Sequence, residues 1–104
     1  MALYETTYFS RQKGQQNMLS YCAKINERLT ELRQVSGFGG YESVSSGVAR
    51  GAIKGACSNP STANNSVYEV GIGGQWRIFF AQGYSGGVVV LMIGHLQGNV
   101  LQQP

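Results

Sequence analysis

The segment from Val67 to Gly98, VYEVGIGGQWRIFFAQGYSGGVVVLMIGHLQG, constrains the fold more than any other part of the chain. β-Branched and aromatic residues dominate it and glycines punctuate it, which is the composition of consecutive strands. Val67 to Ile72 forms the first expected strand, and Gly73-Gly74 supplies residues able to take the positive φ angles of a tight hairpin turn. Gln75 to Gln82 forms the second. Within it Trp76, Ile78 and Phe80 alternate with Gln75, Arg77 and Phe79, so Arg77 is expected on the face away from Trp76. Gly83 to Gly87 reads as a further turn. Gly87 to Gly94 (GVVVLMIG) is uniformly apolar, which predicts a central strand covered on both faces, with His95 just past its end.

Upstream, Met18, Cys22, Ile25, Leu29 and Leu32 recur at steps of four and three, an apolar stripe along a helix expected from about Gly14 to Gln34 and stopped by Gly37. On its outer face Lys24 and Arg28, and Glu27 and Glu31, are like-charged at a spacing of four, so little ion pairing is expected there. Leu3 to Ser10 (LYETTYFS) reads as an opening strand, with Ser10 available as a helix cap. Between residues 36 and 66, glycine and serine spacing obscures any period, and the run SNPSTANNS reads as a turn. Val44, Val48, Ala49, Ala52 and Ile53 place a short helix there, against which Gly47 and Gly51 count.

These elements make one α+β domain spanning residues 1–104, an N-terminal strand and a long helix packed on a small antiparallel sheet. A chain of 104 residues buries one modest core. It contains no apolar run near the ~20 residues a membrane span needs, and its start lacks the basic-then-apolar plan of a secretory signal, so a cytoplasmic location without membrane partners is expected. Cys22 lies on the apolar stripe, which predicts a buried free thiol rather than a bridge. With one His, no Asp and no CxxC spacing, neither a metal site nor a cofactor is expected.

Eight Lys and Arg against five Glu give a net charge of +3. That excess does not by itself select nucleic acid; the positions are more informative. After residue 40 the cations are Arg50, Lys54 and Arg77, with His95 titratable, against Glu42 and Glu69. If the segment carrying Arg50 and Lys54 folds beside the sheet, these groups form a small basic concavity suited to a phosphate.

Three local patterns resemble the RelE/ParE superfamily of bacterial toxins from toxin–antitoxin modules. AIKGA at Ala52 to Ala56 is similar to that family's Leu-Lys-Gly element. VYEVGIGGQWRIFF at Val67 to Phe80 is similar to its Tyr-Glu-Leu-Arg followed by Tyr-Arg-Ile-Phe, and VVVLMIGHLQG at Val88 to Gly98 to its last strand ending in Gly-His or Gly-Phe. For RelE-type members the resemblance implies a metal-independent, ribosome-dependent endoribonuclease that cuts messenger RNA and blocks translation, neutralised by a cognate antitoxin. It implies that Arg77 clamps the phosphate, that Lys54 adds a second charge, that His95 does acid–base work, and that Glu69 is a further candidate base. Arg50, Lys54 and Arg77 are the implied RNA-binding cations.

Each residue also has a structural reading: His95 at a strand end, Glu69 paired with Arg77 across the hairpin, Lys54 a solvated lysine. The tail LQGNVLQQP carries no charged or aromatic residue, and Gly71 stands where many family members have a basic side chain. A ParE-like protein that inhibits DNA gyrase by binding it, or an inactive relative kept for binding, is the alternative.

Overall fold

In the computed structural model, which describes residues 1–58, 66–83 and 86–104, the apolar run near the C-terminus is the centre of the molecule. It forms a strand at Val88–Gln97, longer than expected, in which every residue from Val88 to Ile93 is buried. Trp76–Gln82 pairs antiparallel along one edge, Tyr68–Gly73 pairs antiparallel with Trp76–Gln82, and the two-residue strand Glu42–Ser43 closes that side. The other edge of Val88–Gln97 is shared. Leu3–Glu5 runs parallel to Val88–Val90, and Val100–Gln102 turns back antiparallel to His95–Gln97. Numbered in chain order, the strands are β1 (Leu3–Glu5), β2 (Glu42–Ser43), β3 (Tyr68–Gly73), β4 (Trp76–Gln82), β5 (Val88–Gln97) and β6 (Val100–Gln102). The sheet order is β1-β5-β4-β3-β2 with β6 also on β5, so the sheet is mixed rather than purely antiparallel.

The hairpin at Gly73-Gly74 forms as expected, with φ of +119° and +57°, values that L-residues with side chains rarely adopt. His95 is not beyond the last strand but inside it, paired with Gln102. Gly94 does not end the strand because its missing side chain is what admits β6. A Cβ there would meet Leu101 Cδ1 at 2.9 Å, Gln102 O at 3.2 Å and Phe79 Cε2 at 3.2 Å.

Between β1 and β6 the edge of β5 lacks a strand partner, and buried backbone groups left unpaired there would be costly. Side chains fill the gap. The Thr6 hydroxyl donates to the Leu91 carbonyl at 2.7 Å, and the Gln12 amide accepts from Ile93 N–H at 2.6 Å and donates to the Ile93 carbonyl at 2.8 Å. Gln12 thus makes both bonds that an antiparallel strand residue would make, and it is buried to do so. This requires a helix where the Leu3 to Ser10 strand was expected. The strand stops at Glu5, Thr6 caps helix α1 (Thr7–Lys13) by accepting from Phe9 N–H, and the spacing of three between Phe9 and Gln12 turns both inward. Ser10 sits within the helix, bonded to Glu5.

The long helix expected from Gly14 is also divided. A 3₁₀ segment, Gln16–Tyr21, precedes α2, Cys22–Gln34, which ends ahead of Gly37 with Val35 extended. Met18, Ile25, Leu29 and Leu32 are buried as the stripe predicts, but Cys22 is exposed. In a 3₁₀ turn residue i+3 lies above residue i, so Tyr21 takes the place beside Met18 against the core and Cys22 is rotated out. The charged face does pair, at a spacing of three instead of four. Lys24 reaches Glu27 at 2.8 Å and Arg28 reaches Glu31 at 3.0 Å, while Arg28 Nε also donates to the Gly71 carbonyl on β3.

The short helix is present as α3, Gly47–Cys57, capped by the Ser46 hydroxyl. Ala49, Ile53 and Cys57 form its buried stripe, Val44 is buried just ahead of it, and Val48 is 67% exposed. Gly51 and Gly55 face open space, so they weaken the helix only through propensity. The SNPSTANNS run, apart from its two ends, and residues 84–85 of the expected Gly83 to Gly87 turn lie outside the described residues.

The sheet is covered on both faces. Helix α2 and the 3₁₀ segment pack over Ile72, Ile78, Phe80 and Ile93, while α3 packs over Phe79, Ala81, Leu91 and Met92. The α+β class read from the sequence therefore stands, with three α-helices on a six-stranded mixed sheet among the described residues. None of these helices is long and apolar enough to cross a membrane.

Replacing Gln12 by Ala leaves Ile93 N–H and C=O without partners in a buried position, and is expected to cost about 2–4 kcal/mol in chemical denaturation. Gln12→Glu keeps the acceptor but loses the donor at neutral pH, so its deficit should shrink in acid, where a protonated carboxyl donates again.

Candidate functional site

Arg77, the central residue of the expected site, lies near the start of β4 on the face that carries Phe79, away from Trp76, as the alternation predicts. Its neighbours across the sheet are both glycines, Gly71 on β3 and Gly94 on β5. The Gly94 side is filled by Leu101 of β6. On the other side the guanidinium lies over Gly71, where a Cβ would stand 3.0 Å from Arg77 Nη1. The absence of a side chain at Gly71, a departure from the resembled family, therefore leaves room for the arginine to lie across the strand.

Glu69 sits on the same face of β3, diagonal to Arg77 and directly opposite Glu42 on β2. Among the described residues no ion pair within 4.0 Å joins Glu69 to Arg77, so the cross-hairpin salt bridge is not formed. Burial pushes the Glu69 carboxyl above the usual glutamate range; Arg77 opposes that push, the Glu42 carboxylate adds to it, and His95 opposes it. The net direction is upward. Arg77 and Glu42 share the face of Glu69, whereas His95, one residue past Gly94, acts on it only at a distance from the other face of the sheet.

Lys54 and Arg50 belong to α3. Arg50 is committed to the local backbone, its Nη1 donating to the carbonyls of Val44 and Ser45 at 2.9 Å each, which ties the approach to the helix. Burial holds the Lys54 ammonium below its usual value, the neighbouring Arg50 charge adds to that, and Cys57 opposes it. The charges that act on Glu69 come from β2, β4 and β5. Arg50 and Lys54 are carried by α3, which packs over Phe79 on the same face of the sheet as Arg77. That face therefore holds Arg77 and Glu69, whereas His95, which follows Gly94, the partner of Arg77, alternates to the other face and does not join them as the sequence led one to expect.

Glu42, which the sequence marks only as an opposing charge, and Gly71, which it marks only as a departure from the resembled pattern, are the neighbours whose part in the site the sequence does not reveal. Glu42 belongs to a strand of two residues, defined only by its partner on β3, so no period in the sequence reveals it. Gly71 is visible as a glycine inside a strand, a signal of close approach. A partly buried carboxyl with raised proton affinity and a guanidinium fork on one face are together able to accept a proton and hold an anionic oxygen. Among the described residues no group of three or more His, Cys, Asp or Glu is placed to hold a metal ion.

Because the folded-state pKa of Glu69 is raised, the folded protein binds that proton more tightly than the unfolded chain does. Ionisation therefore costs stability at neutral pH, and the cost disappears as pH falls through the folded pKa toward the ordinary value of 4.5. Glu69→Gln is expected to be more stable than wild type at neutral pH, with the difference vanishing near pH ~4, as read from paired denaturation curves. Gly71→Ala is expected to fold while displacing the Arg77 guanidinium, visible as altered side-chain Nε–Hε resonances of Arg77 in NMR spectra.

No protein-family model matches the chain, and no curated protein or solved structure matches it.

Proposed function

We propose that the chain is a RelE-like toxin, a metal-independent endoribonuclease that cuts messenger RNA in the ribosome, requires no cofactor and is held in check by a cognate antitoxin protein. The observation that supports this reading is the placement of Glu69 and Arg77 on one face of the neighbouring strands β3 and β4, a carboxyl with raised proton affinity beside a guanidinium. Cleavage of an RNA strand by its own ribose requires a base, a group that holds the charged phosphate and a source of the proton for the leaving oxygen. Glu69, ionised, takes the proton of the 2′-OH. The 2′-oxygen attacks phosphorus as the bond to the 5′-oxygen breaks, leaving a 2′,3′-cyclic phosphate and a 5′-hydroxyl. Arg77 holds the non-bridging oxygens through two parallel N–H groups as charge builds on them. The departing 5′-oxygen takes its proton from water, because His95 stands on the other face of β5. Lys54, on the helix that packs over this face, adds a second positive charge for the phosphates of the strand.

A second reading is a ParE-like inhibitor of DNA gyrase that acts by binding. It is favoured by the charge balance around Arg77, where Glu69 and Glu42 face one arginine, and by the engagement of Arg50 with its own backbone.

Expression of the chain in bacteria distinguishes the two. The ribonuclease reading expects a rapid fall in pulse-labelled protein synthesis, reduced by about 10²–10³ in Arg77→Ala, with Arg77→Lys poorly active because an ammonium lacks the planar fork. A fall in DNA synthesis with intact translation would support the gyrase reading and sink the ribonuclease. Normal growth with soluble, folded wild-type protein would sink both.

A further inference from the structure

The opposite face of the sheet, at the other end from Arg77, holds a cleft of ≈ 400 Å³ that the proposed ribonuclease chemistry does not use. It lies where the chain leaves α2 and turns back toward β2. The Tyr41 N–H donates to the Phe38 carbonyl at 3.0 Å, a turn that brings both aromatic residues to the same place. There they meet Tyr68 of β3 and the fully buried Phe80 of β4. Tyr68 lies nearly parallel to Phe80, with ring centres 5.9 Å apart and planes at 26°; Phe38 and Tyr41 stand edge-on to Phe80 at 5.4 and 5.1 Å. Phe38 is also tilted against Tyr68 at 5.0 Å. Phe38, Tyr41 and Tyr68 are only partly buried, so rims of three rings remain open to the cleft.

The lining defines the ligand. Ser36, Gln82, the two phenols and the backbone of Gly37 and Gly39 offer polar groups. No charged side chain lines the space, and the α-ammonium of Met1, which also lines it, donates to the Arg33 carbonyl at 2.6 Å, so a charged ligand would lose hydration without a charged side chain to offset the loss. Aromatic walls favour a flat ring through offset or edge contacts. A volume near the lower end of the usual ~300–1,000 Å³ range of ligand sites admits one fused ring system rather than a whole nucleotide. From this geometry we infer that the cleft is a binding site for a neutral, planar, fused heteroaromatic ring with a hydrogen-bonding edge, of the size of a purine base or an indole.

Gly37 and Gly39 make the inference testable without disturbing the core. A Cβ at either would meet nothing within 4 Å, and neither has the positive φ that would strain a larger residue. A leucine at either position is therefore tolerated by the fold and adds bulk to the wall of the cleft, which both glycines line. The experiment is titration of the wild-type chain with adenine, with indole and with the non-aromatic cyclohexanol, followed by NMR. The expected result is saturable shifts for adenine or indole, centred on residues 38–41 and Tyr68, with cyclohexanol at least about tenfold weaker. Gly39→Leu and Gly37→Leu, melting as wild type does, should each weaken ring binding by about tenfold or more. Should one variant misfold, the other serves alone; should both, competition between adenine and indole for the wild-type shifts decides whether they share one site. Absence of saturable shifts, shifts centred on Arg77, equal binding of cyclohexanol, failure of the rings to compete, or unchanged binding in a folded leucine variant would each overturn the site.

Discussion

The molecule depends on how the two edges of β5 are satisfied. A strand buried on both faces presents N–H and C=O groups along both edges, and none can be left to water. One edge is straightforward, because β4 runs beside it from Val88 to Gly94. The other is divided between β1 at its start and β6 at its end, and the side chains of Thr6 and Gln12 complete it between them. That arrangement fixes where α1 begins, which of its residues face inward, and hence where the chain enters the 3₁₀ segment and α2. Gln12 is both deeply buried and fully hydrogen-bonded, the condition under which a buried polar residue specifies a unique packing instead of merely weakening it.

The same strand organises the candidate site. Because β6 folds back over Gly94, Leu101 closes one side of Arg77, and the guanidinium extends toward Gly71 instead. Helix α3, which carries Arg50 and Lys54, lies over β5 and β6 on this face. The charges that act on Glu69 are carried by strands. The like-charged Glu42 directly across from it is a cost to the sheet, partly offset by Arg77 and His95, and it keeps the carboxyl proton affinity high.

Two features of the sequence had readings that only neighbouring structure corrects. LYETTYFS has both strand composition and, through Thr6, Phe9 and Gln12, a capped helical spacing; the unpaired edge of β5 selects the helix. The Met18-to-Cys22 step has helical spacing, but a 3₁₀ turn advances by three residues rather than 3.6, so Cys22 leaves the stripe. Cys57, on a helix that its glycines made doubtful, is the buried thiol instead.

The local pattern of residues was sufficient for the hairpin at Gly73-Gly74, the facing of Arg77, the buried character of β5, the stripe of α2 and the α+β class. These depend on side-chain period and on backbone freedom at glycine, which are properties of short segments. Tertiary structure alone decided the parallel placement of β1, the role of Gln12, the existence of β2 and β6, the position of His95 within a strand, and which charges meet. Each of those depends on hydrogen-bond partners and electric fields supplied by residues far away in the chain, and no local period encodes such partners.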